Sequence, residues 1–151
     1  MPKAPVSALS KAMTYLAARP LSELELLEKL RKAGYMDSES DAAIEECKKR
    51  HYLDDSMLAA DCVEVLRQRN IGSRQIKFKL ARRGLDIETV SSLLEEDESA
   101  EKHAAERAME SKLRLLRNEN DPRKKREKLF RFLAGRGFSP DVIFQVLDSD
   151  Y

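Results

Sequence analysis

Residues 80–84 read LARRG, and the same phrase of leucine, three residues and glycine stands at 30–34 (LRKAG) and 133–137 (LAGRG). An apolar residue lies four positions before each leucine (Leu26, Ile76, Leu129), and another follows each glycine (Tyr35, Leu85, Phe138). This i, i+4, i+8 spacing is one face of a helix, with glycine where a left-handed C-terminal residue is wanted. Gly34, Gly84 and Gly137 lie 50 and then 53 residues apart, too long a period for tetratricopeptide or ankyrin units.

Working outward, each such helix has neighbours. Upstream stand three helical stripes: Leu9, Met13 and Leu16; Leu58, Cys62, Val65 and Arg69; Ala105, Met109, Leu113 and Leu116. Downstream, Ile44 and Cys47 correspond to Val90, Leu93 and Leu94 and to Ile143, Val146 and Leu147, the first copy carrying about four extra residues in YMDSESD (35–41) before its third helix. Ser22 with Glu25 reads as a capping box, and Asp121-Pro122 and Ser139-Pro140 as caps followed by proline at the first helical position. No stretch alternates with period two, so no strand is predicted. The expected architecture is all-α: three tandem three-helix repeats, 8–53, 56–98 and 100–149, stacked because so small a unit buries little alone. The stretch RNENDP (117–122) is the expected soft joint of the third.

The 151 residues are 36% charged and 6% aromatic with no Trp, a composition suited to exposed amphipathic helices. MPKAPVS (1–7) has no apolar leader core, Pro2 excludes a myristoylation signal, and no apolar run approaches membrane-spanning length. A soluble, cytoplasmic protein without membrane contact is expected. Formal net charge is only +1, yet residues 65–85 hold seven basic residues (Arg67, Arg69, Arg74, Lys77, Lys79, Arg82, Arg83) and no acid. Residues 123–136, including Lys124, Lys125, Arg126, Arg131 and Arg136, hold seven more against Glu127 alone. Acid collects at 36–46 and 94–101, so net charge understates how well one face can bind a polyanion.

The residues argue against an enzyme. There is no Gly-rich phosphate loop, H-E-x-x-H or G-x-S-x-G. Asp54-Asp55 reads as a helix cap rather than a catalytic pair. Cys47, His51 and Cys62, with His103, lack the tight paired spacing of zinc ligands, and both cysteines fall at apolar helical positions. No metal or other cofactor is expected. Phe78 stands apart: it lies two residues from both Ile76 and Leu80, hence outward, with Arg74 and Arg82 one turn to either side. An aromatic framed by arginines can stack on a base or dock into a partner; the alternative is that it packs under the next repeat.

The string HYLDDSMLAADCVEVLRQRNIGSRQIKFKLARRGLD (51–86), with AMTYLAARPLSELELLEKLRKAG (12–34) and KLFRFLAGRGFSPDVIFQVL (128–147), resembles the RecX family of bacterial recombination regulators across nearly the whole chain. It departs from the family pattern at Phe78, where a polar residue is usual, and in RNIGSRQI (69–76) and SMLAAD (56–61). The resemblance implies a curved, modular, monomeric helical protein that binds the RecA nucleoprotein filament along its groove. It also implies inhibition of RecA ATPase, strand exchange and repressor cleavage in recombination, DNA repair and the SOS response, with binding to single- and double-stranded DNA. A stand-alone helical nucleic-acid-binding protein is the alternative.

Overall fold

The computed structural model describes residues 6–149, so the reading of Pro2 lies outside the described residues. These form nine helices and no strand: α1 (Ala8–Ala18), α2 (Glu23–Lys32), α3 (Asp37–Lys49), α4 (Asp55–Gln68), α5 (Ser73–Arg82), α6 (Ile87–Glu95), α7 (Glu98–Leu115), α8 (Pro122–Gly135) and α9 (Pro140–Ser149). Three separate apolar clusters organise them in threes. The first gathers Leu26, Leu30, Ile44 and Cys47, the second Ile76, Leu80, Val90 and Leu94, the third Leu129, Leu133, Ile143 and Leu147.

The middle helices α2, α5 and α8 end as their glycines require. Gly34, Gly84 and Gly137 have φ of +96°, +82° and +95°. The following N–H groups of Tyr35, Leu85 and Phe138 return to the carbonyls of Leu30, Leu80 and Leu133 at 3.1, 3.1 and 3.2 Å. These are Schellman closures, which satisfy orphan carbonyls and turn the next apolar residue into the core. The capping box at Ser22 and Glu25 is present, Asp121 caps α8 ahead of Pro122, and Ser139 Oγ accepts the Val142 N–H at 3.3 Å.

Two expectations are corrected. The YMDSESD insertion is not an extra loop before the third helix: α3 already begins at Asp37, three residues past Gly34, the same offset as α6 past Gly84. The extra residues add one turn to the helix, which is 13 residues long against 9 in α6 and 10 in α9. Asp37 and Glu39 suit the positive end of the helix dipole, so the acidic run is a helix start. The first-helix stripes of α1 and α4 are also rotated, whereas that of α7 holds, with Ala105, Met109 and Leu116 buried. Ala8 and Ala12 of α1 are buried while Met13 is exposed; Leu58, Ala59 and Val63 of α4 are buried while Val65 is exposed. In α7 the alanines at 104, 105 and 108 join Met109 inside. Each first helix packs against the third helix of its repeat, and small residues let the two backbones approach; hydropathy ranks Ala below Leu and misses this.

Candidate partner and nucleic-acid interface

On α5, Ile76 and Leu80 are 0% and 1% exposed, and Phe78 between them is 59% exposed. The alternative of Phe78 packed under a neighbouring repeat is thereby excluded. The Arg82 guanidinium sits 5.7 Å from the Phe78 ring centroid, within cation–π range, and Arg74 is exposed one turn before the ring. Lys79 is exposed and Lys77 half-buried on the flanks. The register set by the glycines makes this face particular to the middle repeat. Six residues before each glycine stand Glu28, Phe78 and Arg131, and two before stand Lys32, Arg82 and Gly135. The repeats share their inward face and differ outward.

The remaining basic residues divide by environment. On α8, Lys124 and Arg131 are exposed and Lys125 half-buried, while Arg126 reaches Asp148 at 2.7 Å. Arg69 is exposed beside the junction of repeats 1 and 2. Arg67, Arg83 and Arg136 do not lie on an outward face: their guanidinium groups bind other parts of the chain. The sequence grouped them with the others because charge is visible there and direction is not.

Arg83 and Arg136 occupy the same position, the C-cap of the middle helix, and each reaches back into the preceding repeat. Arg83 Nη2 donates to Glu25 Oε1 at 2.9 Å and to the Pro20 carbonyl at 3.2 Å, and its Nη1 donates to Cys62 Sγ at 3.2 Å. Arg136 donates to the carbonyls of Asn70 (2.9 Å) and Arg69 (2.6 Å). The carbonyls of both arginines accept in return: Ser22 Oγ donates to Arg83 O, and the Gly72 N–H to Arg136 O at 2.8 Å. A third contact repeats as well. Asp55 Oδ1 accepts the Glu23 N–H at 2.9 Å, and Glu101 Oε1 accepts the Ser73 N–H at 3.2 Å. Glu23 and Ser73 are the first residues of α2 and α5, so an acid from the next repeat satisfies an orphan donor of each helix start. Middle helices thus meet end against end, each N-terminus on the next repeat's C-cap, where their dipoles are favourably opposed.

These contacts shift the carboxyls at the first joint in opposite directions. Burial pushes Glu25 up, but the Arg83 hydrogen bond, the Ser22 N–H and the charges of Arg83 and Arg19 outweigh it, and its pKa lies below the ordinary value. For Asp55 burial prevails over the Glu23 N–H and its pKa is raised. The Asp54-Asp55 pair therefore has structural work: Asp54 Oδ1 accepts the Met57 N–H at 3.1 Å as N-cap, and Asp55 spans the joint.

His51 is a backbone position, with φ of +60° just past α3, and Asn70 takes the same φ past α4. Cys47 is buried and Cys62 contacts Arg83. Among the described residues no group of three or more His, Cys, Asp or Glu gathers as a metal site, and no helix is long and apolar enough to cross a membrane. Sequence reasoning missed the joint roles of Glu25, Asp55, Gly72 and Glu101. Only the recurrence of arginine immediately before the second and third glycines hinted at them.

The family model for the first three-helix domain of RecX matches residues 8–47, and that for its third three-helix domain matches residues 96–147. The chain is 31% identical to a regulatory protein RecX of Neisseria meningitidis, covering 89% of this chain and 84% of the relative. It is 29% identical to a regulatory protein RecX of Legionella pneumophila, over 92% and 91%. The crystal structure of RecX from Lactobacillus salivarius superposes with a TM-score of 0.86 over 94% of this chain and 93% of that one, at 21% identity.

Proposed function

The chain belongs to the RecX family, and on that premise we propose that it is a non-enzymatic regulator that binds the RecA nucleoprotein filament. Binding lowers RecA's ATPase, strand-exchange and repressor-cleavage activities, in the cytoplasmic setting of recombination, DNA repair and the SOS response. The observation that carries the reading is the exposed α5 face, where Phe78 stands under Arg82 on a helix without a single acid. Arg74, Lys77, Lys79 and Arg82 on α5, with Arg69 at the C-cap of α4 and Lys124, Lys125 and Arg131 on α8, supply positive potential for phosphate or an acidic protein surface, while Arg126 is paired with Asp148. Arg83 and Arg136 serve this face indirectly by holding adjacent repeats together, and Arg67 by tying α4 to α6 within the second repeat.

The chain acts as a monomer with three repeats, 8–53, 56–98 and 100–149. The C-cap of α2 makes no such joint contact: Ala33 stands where Arg83 and Arg136 stand, and nothing lies within 4 Å of where a Gly34 side chain would begin.

Titration into RecA on single-stranded DNA tests the proposal: ATP turnover should fall at or below one chain per RecA protomer, with no hydrolysis by the chain alone. Unchanged turnover and strand exchange at several-fold excess would favour the alternative, direct nucleic-acid binding by the same α5 face. In that case each basic contact removed should flatten the slope of log K against log salt by about 0.7 on single strands.

A further inference from the structure

We propose that the cleft between the first and second repeats is a docking pocket for an apolar side chain flanked by carboxylates, presented on a segment of a partner protein. The inference rests on the reading of this chain as a protein-binding regulator. The cavity has a volume of about 450 Å³, large enough for one or two apolar side chains. Its walls are aliphatic, with Pro20 from the turn before α2, Leu58, Val65 and Leu66 from α4, and Leu80 from α5. Its rim is cationic: Arg19, Arg69 and Lys79 stand around it against Asp61 as the one lining acid. Arg83, at the back, is held by Glu25, whereas Arg69 and Lys79 make no ion pair among the described residues.

An apolar floor with uncompensated cations at the mouth selects an occupant of the inverse pattern. A nucleotide would match the rim alone. The walls carry no aromatic ring for a base to stack on, and its hydrogen-bonding edge would be desolvated against aliphatic carbon. A leucine or phenylalanine side chain buries only apolar surface there, and flanking carboxylates meet Arg69 and Lys79 without deep desolvation. The cavity shares Arg69 and Lys79 with the flank of the outward face but not Phe78, which lies about 100° round α5 from Lys79.

Cys62 lines the cavity and Cys47 is fully buried, so maleimide alkylation of the intact chain reads occupancy at Cys62. The probe is a blocked peptide with Leu-Phe between Asp-Glu pairs; the controls are its lysine-substituted counterpart and oligothymidylate. The acidic peptide should slow alkylation saturably, by about an order of magnitude at about ten times its Kd. Val65 is 44% exposed, so Val65→Asp should lose protection at an unchanged melting temperature, while Met57→Asp, away from the cavity, should keep it. No saturable protection at millimolar peptide, equal protection by the lysine peptide, protection by oligothymidylate instead, or protection surviving Val65→Asp would each overturn the proposal. Peptide protection with unchanged RecA turnover would break the proposed function and leave the pocket standing. RecA inhibition that leaves Cys62 unprotected would break the pocket alone.

Discussion

Where repeat 1 meets repeat 2, side chains bridge the gap: the Arg83 fork on Glu25, the Ser22 hydroxyl on a carbonyl, the Asp55 carboxylate on an amide. Where repeat 2 meets repeat 3, Arg136 and Glu101 make the corresponding bridges, and main chain also meets main chain. The Gly72 N–H donates to Arg136 O at 2.8 Å and the Arg74 N–H to Gly137 O at 3.0 Å. A side-chain methyl on Gly72 would stand 2.3 Å from the Gly137 carbonyl carbon. Both joints use the same positions of the repeat, yet only the second adds close backbone approach to its side-chain contacts. The first should therefore answer more to pH, salt and charge-preserving substitution, and the second more to volume.

The largest expected effect tests the second joint. Gly72 has φ of −78°, which alanine adopts freely, so Gly72→Ala isolates the steric demand. Because its clash is with backbone, the cost should reach the upper end of overpacking penalties, about 3 kcal/mol. Chemical denaturation should show this loss at neutral pH and unchanged in salt. A Gly72→Ala protein of normal stability would remove the basis for the comparison.

Next comes the first joint. Arg83→Ala leaves Glu25 with 21% side-chain exposure and without its main partner. Partial solvation moderates the loss to about 1–2 kcal/mol. Arg83→Lys should recover only part of this, because an ammonium cannot span Glu25, Pro20 O and Cys62 together. Full recovery by lysine would show that charge rather than the fork closes the joint.

Acid should sharpen the contrast. Glu25, held below its ordinary pKa in the folded chain, contributes stability that is full above the unfolded value of about 4.3 and is lost as pH falls through the folded value. Asp55, raised by burial, acts oppositely: its charge costs stability at neutral pH, and protonation relieves that cost as pH falls through its raised value. Glu25→Gln should flatten the acid limb of the stability–pH curve, and Asp55→Asn should steepen it. Identical limbs in both variants would mean that neither carboxyl is linked to folding.

The smallest stability effect belongs outside both joints. Phe78→Ala should change the melting free energy by less than about 0.5 kcal/mol, since the ring is 59% exposed. The same variant should weaken binding by about 1–3 kcal/mol if a base stacks on the ring. A large loss of stability would place the ring in a joint after all.

Much of this was legible in one dimension. Period and direction follow from the leucine and glycine spacings, because an apolar residue every four positions has one way to be buried and a glycine after it one way to end the helix. Phe78 could be turned outward by counting from Ile76. The extra turn of α3 and the alanine faces of α1 and α4 were not legible, since composition does not separate an acidic loop from an acidic helix start and hydropathy undervalues close approach.

The charge cluster marks the boundary between the two kinds of knowledge. Its sequence alone set the chain apart as a helical repeat protein with basic segments and an outward aromatic. Only the tertiary structure decided which cations remain for a partner. Arg82 and Arg83 are neighbours in sequence, but 100° of helical rotation sends one over Phe78 and the other across a joint to Glu25. A guanidinium's role depends on which acceptors lie within about 3 Å of it, and for Arg83 that acceptor comes from 58 residues away, a distance only folding can close.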